Sequence, residues 1–94
     1  MKDRMRIQVR GCVRRQADFL LPAGASVSDA LEVAGGIGRD EREGTGIVTV
    51  RSQRKADGRY YCRRRLRAGR DDLSGTELRD KDLVVAQYRI GKDD

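Results

Sequence analysis

Histidine and tryptophan are absent, proline and phenylalanine each occur once, and cysteine occurs twice. Without histidine the chain lacks the commonest general base, the usual metal ligand and the usual switch near neutral pH. Two cysteines, Cys12 and Cys62, are too few for a disulfide scaffold or a zinc site. Aromatic residues make up only 4% of the chain, few for stacking unpaired bases. No stretch of 18 apolar residues occurs, so no membrane span is expected. Met1-Lys2-Asp3-Arg4 leads into alternating polar and apolar residues, where a signal peptide would place an apolar core. As a complete chain the protein is therefore expected to be cytoplasmic; as an excised domain, its parent could be extracytoplasmic.

What is present is organised. A length of 94 residues predicts one domain over 1–94, with an ordered core over about 5–90. Charged residues make up 38% of the chain, yet the apolar residues fall into blocks, which a disordered chain lacks. The formal net charge of +6 attracts anions of many kinds, and is also ordinary for a soluble small domain.

From Met5 to Val13, apolar Met5, Ile7, Val9 and Val13 keep one parity while Arg6, Gln8 and Arg10 keep the other. That is a strand with one wet face. Ala17, Phe19 and Leu21 continue the pattern after a polar break at Arg14-Arg15, which predicts a hairpin, and Pro22-Ala23-Gly24 ends the second strand. Val27, Ala30, Leu31 and Ala34 form one helical stripe, predicting a helix of about three turns over 26–34. Ser26 and Asp29 resemble a capping box with a shorter acid. Gly35-Gly36 supplies the left-handed cap that ends the helix, with Ile37 placed to fold back on the last turn. A helix cap is a better reading of Gly35-Gly36-Ile37-Gly38 than a phosphate loop, because the segment follows a helix instead of opening one. After a polar loop over 38–46, Ile47–Gln53 is a third strand and Arg59–Arg67 the strand returning from an Asp57-Gly58 turn. A polar connector over 68–76 and a charged turn at 79–82 precede an apolar strand over 83–90. Residues 91–94 form a frayed tail. The order β-β-α-β-β-β predicts an α+β fold, a mixed four- to five-stranded sheet with one helix on one face.

This order resembles the β-grasp fold of ubiquitin. Within it, the chain resembles the soluble-ligand-binding β-grasp (SLBB) family. The matching segments are Ile7-Gln8-Val9-Arg10-Gly11-Cys12-Val13, Phe19 to Leu31 through Pro22-Ala23-Gly24-Ala25-Ser26-Val27, Ala34-Gly35-Gly36-Ile37, Ile47 to Arg51, and Leu78 to Val85. Together they cover about residues 5 to 90. Two departures stand out. Arg14-Arg15-Gln16 replaces the family's usual Pro-Gly, and Lys81-Asp82 stands where Gly-Asp is usual. The resemblance implies a domain that binds and does not catalyse, with no catalytic residue and no cofactor.

The returning strand is the most unusual segment. Arg59, Tyr61, Arg63, Arg65 and Arg67 share one parity, and residues at that spacing line one face of a strand. Arg6 and Arg10 on the first strand and Arg51 on the third are expected to point the same way, away from the helix. Such a face holds phosphates or carboxylates bidentately, and its tyrosine could stack a base or sugar. The competing reading is edge protection, since this strand is expected at a sheet edge, where charge discourages aggregation. The other parity, Tyr60, Cys62, Arg64 and Leu66, is expected to face the helix. Cys12 is expected outward or in the hairpin, and no disulfide is expected between it and Cys62. The carboxylates lack calcium-loop spacing, so no metal site is expected.

Three classes of function follow. The first is a binding module for an anionic soluble ligand, polysaccharide or phosphate-bearing, or for a protein partner. The second is a nucleic-acid-binding domain, favoured by the basic face and disfavoured by the scarcity of aromatics and of any nucleic-acid motif. The third is a ubiquitin-like sulfur carrier or protein modifier. It needs a terminal Gly-Gly, where this sequence ends Gly91-Lys92-Asp93-Asp94.

Overall fold

A computed structural model describes residues 3–36 and 45–89. Its elements are β1 (Arg4–Gly11), β2 (Ala17–Pro22), α1 (Val27–Val33), β3 (Thr45–Gln53), β4 (Tyr60–Arg67) and β5 (Leu83–Arg89). Thus the chain is α+β, with five strands and one helix among the described residues. Ile37, the loop over 38–44 and the tail over 91–94 lie outside the described residues.

The strands form one mixed sheet in the order β2-β1-β5-β3-β4. β5 inserts at the centre, parallel to β1 and antiparallel to β3. The two hairpins β1–β2 and β3–β4 flank it. The alternation read in β1 and β2 sets the core face. Met5 lies opposite Leu21, Ile7 opposite Phe19, and Val9 opposite Ala17. In the centre Val9 pairs with Val84, Val84 with Val50, and Ala86 with Val48. Ile7, Val9, Val48, Val50 and Val84 are fully enclosed. Each such aliphatic side chain contributes about 1.5–3 kcal/mol relative to exposure.

α1 is shorter than predicted. Its seven residues make two turns, too few to persist in water alone. Three devices hold it. The capping box is complete, with Asp29 N–H donating to Ser26 Oγ and Ser26 N–H to Asp29 Oδ2. At the other end Gly36 N–H reaches Leu31 O and Gly35 N–H reaches Glu32 O, with Gly35 at φ 86°. This is the Schellman pattern that the Gly35-Gly36 pair predicts. Finally, Thr76 O and Leu73 O accept from Val27 N–H and Ser28 N–H, so the connector satisfies the first turn. Leu78 is buried and Leu73 packs against the core, so this connector covers core that α1 does not reach.

The end of β1 and the start of β3, at Thr45 in place of Ile47, differ from the sequence pattern. β1 stops at Gly11, whose φ of 98° leaves the strand region, so Val13 is not in the strand. A Cβ at Gly11 would collide with the Ala86 carbonyl of the neighbouring strand. The β1–β2 connection then docks on the helix end, with Arg14 N–H donating to Gly36 O and Arg15 N–H to Ala34 O.

The larger difference lies in β4. Val50 pairs with Arg64 but Arg51 pairs with Cys62, leaving Arg63 as an extra residue in the ladder. An inserted residue of this kind is a β-bulge, and it reverses the side-chain parity beyond it. The uniform row of Arg59, Tyr61, Arg63, Arg65 and Arg67 is therefore corrected. Tyr61 lies opposite buried Ser52, on the core side. Cys62 lies opposite Arg51 and is exposed, the reverse of its predicted inward direction. Arg59 precedes the strand, in the turn, where its N–H donates to Asp57 Oδ1. Cys12 lies half-buried in the β1–β2 connection, and no disulfide joins it to Cys62.

Candidate functional site

The face of the sheet opposite α1 is open among the described residues. Its centre is apolar. Ile47 and Thr49 on β3 and Leu83 and Val85 on β5 are half-buried, their partners across the ladder being Arg51 for Leu83 and Thr49 for Val85. β5 carries apolar residues at four consecutive positions, Leu83 to Ala86, and β3 carries Ile47, Val48 and Val50 around Thr49, so neither parity is wholly polar. A continuous apolar run is the signature of a strand with two apolar faces. That signal lies in the sequence itself, in Leu83 to Ala86.

Cations surround this centre. Arg6 and Arg10 stand on β1, Arg51 on β3, and Arg65 and Arg67 on β4, opposite Thr49 and Ile47. Five of the eight residues singled out above therefore share one face. They are not equivalent. Arg10 is tied to Asp18, with Nη2 2.9 Å from Oδ1, and its Nη1 donates to Val9 O. Arg6, Arg51, Arg65 and Arg67 are exposed and make no ion pair among the described residues. Guanidinium groups so placed keep their donors available to carboxylates or phosphates. Tyr60 takes the place expected of Tyr61 on this face. Its hydroxyl donates to Lys81 O at 3.1 Å, which ties the start of β4 to the turn before β5.

Arg63 is used otherwise. Its Nε donates to Ser52 Oγ at 2.8 Å, and one Nη2 donates to Asp82 Oδ2 and to Glu77 O, both at 2.9 Å. Asp82 is fully enclosed, and the Arg63 side chain keeps 16% of its surface. Ser52 Oγ donates to Asp82 Oδ1 at 2.6 Å, and Arg79 N–H donates to Oδ2 at 2.8 Å. Every charge in this cluster has a partner, which a buried charge requires. The cluster rivets the bulge of β4 to β3 and to the turn before β5. It is an internal fastening and leaves Arg63 unable to reach a ligand on the open face.

No three His, Cys, Asp or Glu side chains converge as metal ligands among the described residues. Among the described residues no helix is long and apolar enough to cross a membrane. In comparisons with known proteins, no family model, no curated protein and no solved structure matches the chain.

Proposed function

We propose that the chain is a β-grasp domain of the SLBB type that acts as a non-catalytic binding module, taking an acidic protein partner on the open face of its sheet. One observation carries this reading: Arg6, Arg51, Arg65 and Arg67, which make no ion pair among the described residues, surround the half-buried apolar patch of Ile47, Leu83 and Val85. The strand order, with a parallel β1–β5 pair between two hairpins, supports the β-grasp assignment. The absence of histidine supports a binding role over catalysis.

The apolar centre favours a protein over a polysaccharide or nucleic acid. Protein interfaces combine a desolvated apolar core with a polar rim, and arginine is enriched in them. A duplex offers phosphates to the rim but nothing apolar to the centre. Tyr60 is the one aromatic placed on this face among the described residues, and a single ring is little for stacking successive bases of a single strand.

Amide chemical-shift titrations of the full chain with a peptide of alternating Glu and Leu, a short DNA duplex and an acidic oligosaccharide test the reading. The peptide is expected to shift amides at Thr49, Arg51, Arg65 and Val85. DNA or the oligosaccharide shifting the same amides with greater affinity would transfer the face to that class. Peptide shifts confined to the α1 side would refute a sheet-face interaction.

A further inference from the structure

We propose a second binding site, separate from the open face, for a small molecule that carries two or more phosphates beside a flat ring. It lies in the cleft between the β3–β4 turn and the turn that leads into β5. The cleft is open to solvent on one side and measures about 1040 Å³, slightly above the range of about 300–1,000 Å³ usual for small-molecule sites. Arg54 and Lys55 line it from one turn, Arg79 and Lys81 from the other, and Tyr61 from β4. The bulge at Arg63 brings Tyr61 here and off the open face.

Charge balance in the cleft favours an anion. Two carboxylates line it as well, Asp80 and Asp82, and both are committed elsewhere. Asp80 Oδ1 accepts from Arg6 N–H at 2.9 Å, and Asp82 is saturated by Ser52, Arg63 and Arg79 N–H. None of Arg54, Lys55, Arg79 and Lys81 belongs to an ion pair among the described residues. Four cations on two facing walls exceed what one carboxylate can engage. Linked phosphates match them, because guanidinium forks grip phosphate oxygens bidentately and ammonium groups act as point charges. Tyr61 offers a ring for a planar group to pack on.

The walls are set in advance. Arg54 N–H donates to Arg59 O and Gly58 N–H to Arg54 O, which fixes the first turn. Lys81 N–H donates to Arg6 O, Asp82 N–H to Arg79 O, and Tyr60 Oη holds Lys81 O, which fixes the second. Lys81 has φ 70°, the one non-glycine residue with positive φ among the described residues. Glycine adopts this conformation without strain and lysine does not. Backbone strain of this kind concentrates at ligand sites, and here it presents an ammonium group to the cleft.

Calorimetric and chemical-shift titration of the full chain with adenosine triphosphate, tripolyphosphate and adenosine monophosphate tests the site. The triphosphate nucleotide should bind tightest, with shifts at Arg54, Tyr61 and Lys81. Lys81→Gly relieves the strained backbone, so it should fold at least as stably while weakening that binding about tenfold or more. Tyr61→Leu should weaken the nucleotide and leave tripolyphosphate unchanged, and Arg65→Gln should alter neither. Undiminished binding by Lys81→Gly, equal affinity for the nucleotide and tripolyphosphate, or no binding of the nucleotide would each overturn the proposal.

Discussion

Asp82 is a carboxylate with no exposed surface, and its two oxygens accept from Ser52, Arg63 and the Arg79 amide. Removing one partner from a buried pair leaves an uncompensated charge in a poorly solvated place, at about 3–5 kcal/mol. Asp82→Ala and Arg63→Gln should therefore each lower the urea midpoint by an amount equivalent to about 3–5 kcal/mol. Arg65, two positions along the same strand, is exposed and makes no ion pair among the described residues, so Arg65→Gln should stay within about 0.5 kcal/mol. Equal, small effects at 63 and 65 would mean the two arginines stand in equivalent surroundings. Parity treats them as twins, because it assumes an unbroken ladder. A bulge has no fixed sequence mark when its extra residue is arginine, so the separation of these residues was not legible before the pairing was known. The same extra residue accounts for the exchanged directions of Tyr61 and Cys62.

Elements read well wherever their signals are local. The capping box of Ser26 and Asp29 and the Schellman pair Gly35-Gly36 are written in adjacent residues, and both ends of α1 follow from them. The alternation in β1 and β2 gave their core face directly. Long-range packing was not legible in the same way. Thr76 and Leu73 lie 49 and 46 positions beyond the helix start at Val27, and a polar connector carries no sign that its carbonyls will meet Val27 and Ser28. The end of β1 is set by the close approach of β5, which places Gly11 beneath the Ala86 carbonyl. Two substitutions rank these effects. Ser26→Ala loses one cap and should cost about 1 kcal/mol. Gly11→Ala combines left-handed backbone strain with a backbone collision and should cost about 2–5 kcal/mol. Thermal unfolding of the two variants checks the order, and a milder effect at Gly11 than at Ser26 would show that β1 and β5 separate there at little cost.

At the scale of the whole molecule the question is what the cationic face is for. β4 lies at the edge of the sheet, so Arg65 and Arg67 could serve simply to keep other strands away. Arg51 separates the two purposes. It stands on β3, hydrogen-bonded on both sides by β5 and β4, where no edge needs protecting. Its side chain is exposed beside Leu83 and opposite Cys62, within the apolar patch's rim. If the rim exists to grip an acidic partner, Arg51→Gln should lower affinity for the Glu–Leu peptide about tenfold, as loss of a charged hydrogen bond does. The remaining binding should weaken further with added salt, since exposed charges separated by more than about 10 Å are screened at 0.1 M ionic strength. Sedimentation of Arg51→Gln should match that of the parent protein. If the arginines serve as edge guards, Arg65→Gln with Arg67→Gln should instead self-associate with rising concentration, and Arg51→Gln should bind the peptide as the parent does. A single substitution on an interior strand thus distinguishes recognition from protection without disturbing either the core or the Asp82 cluster.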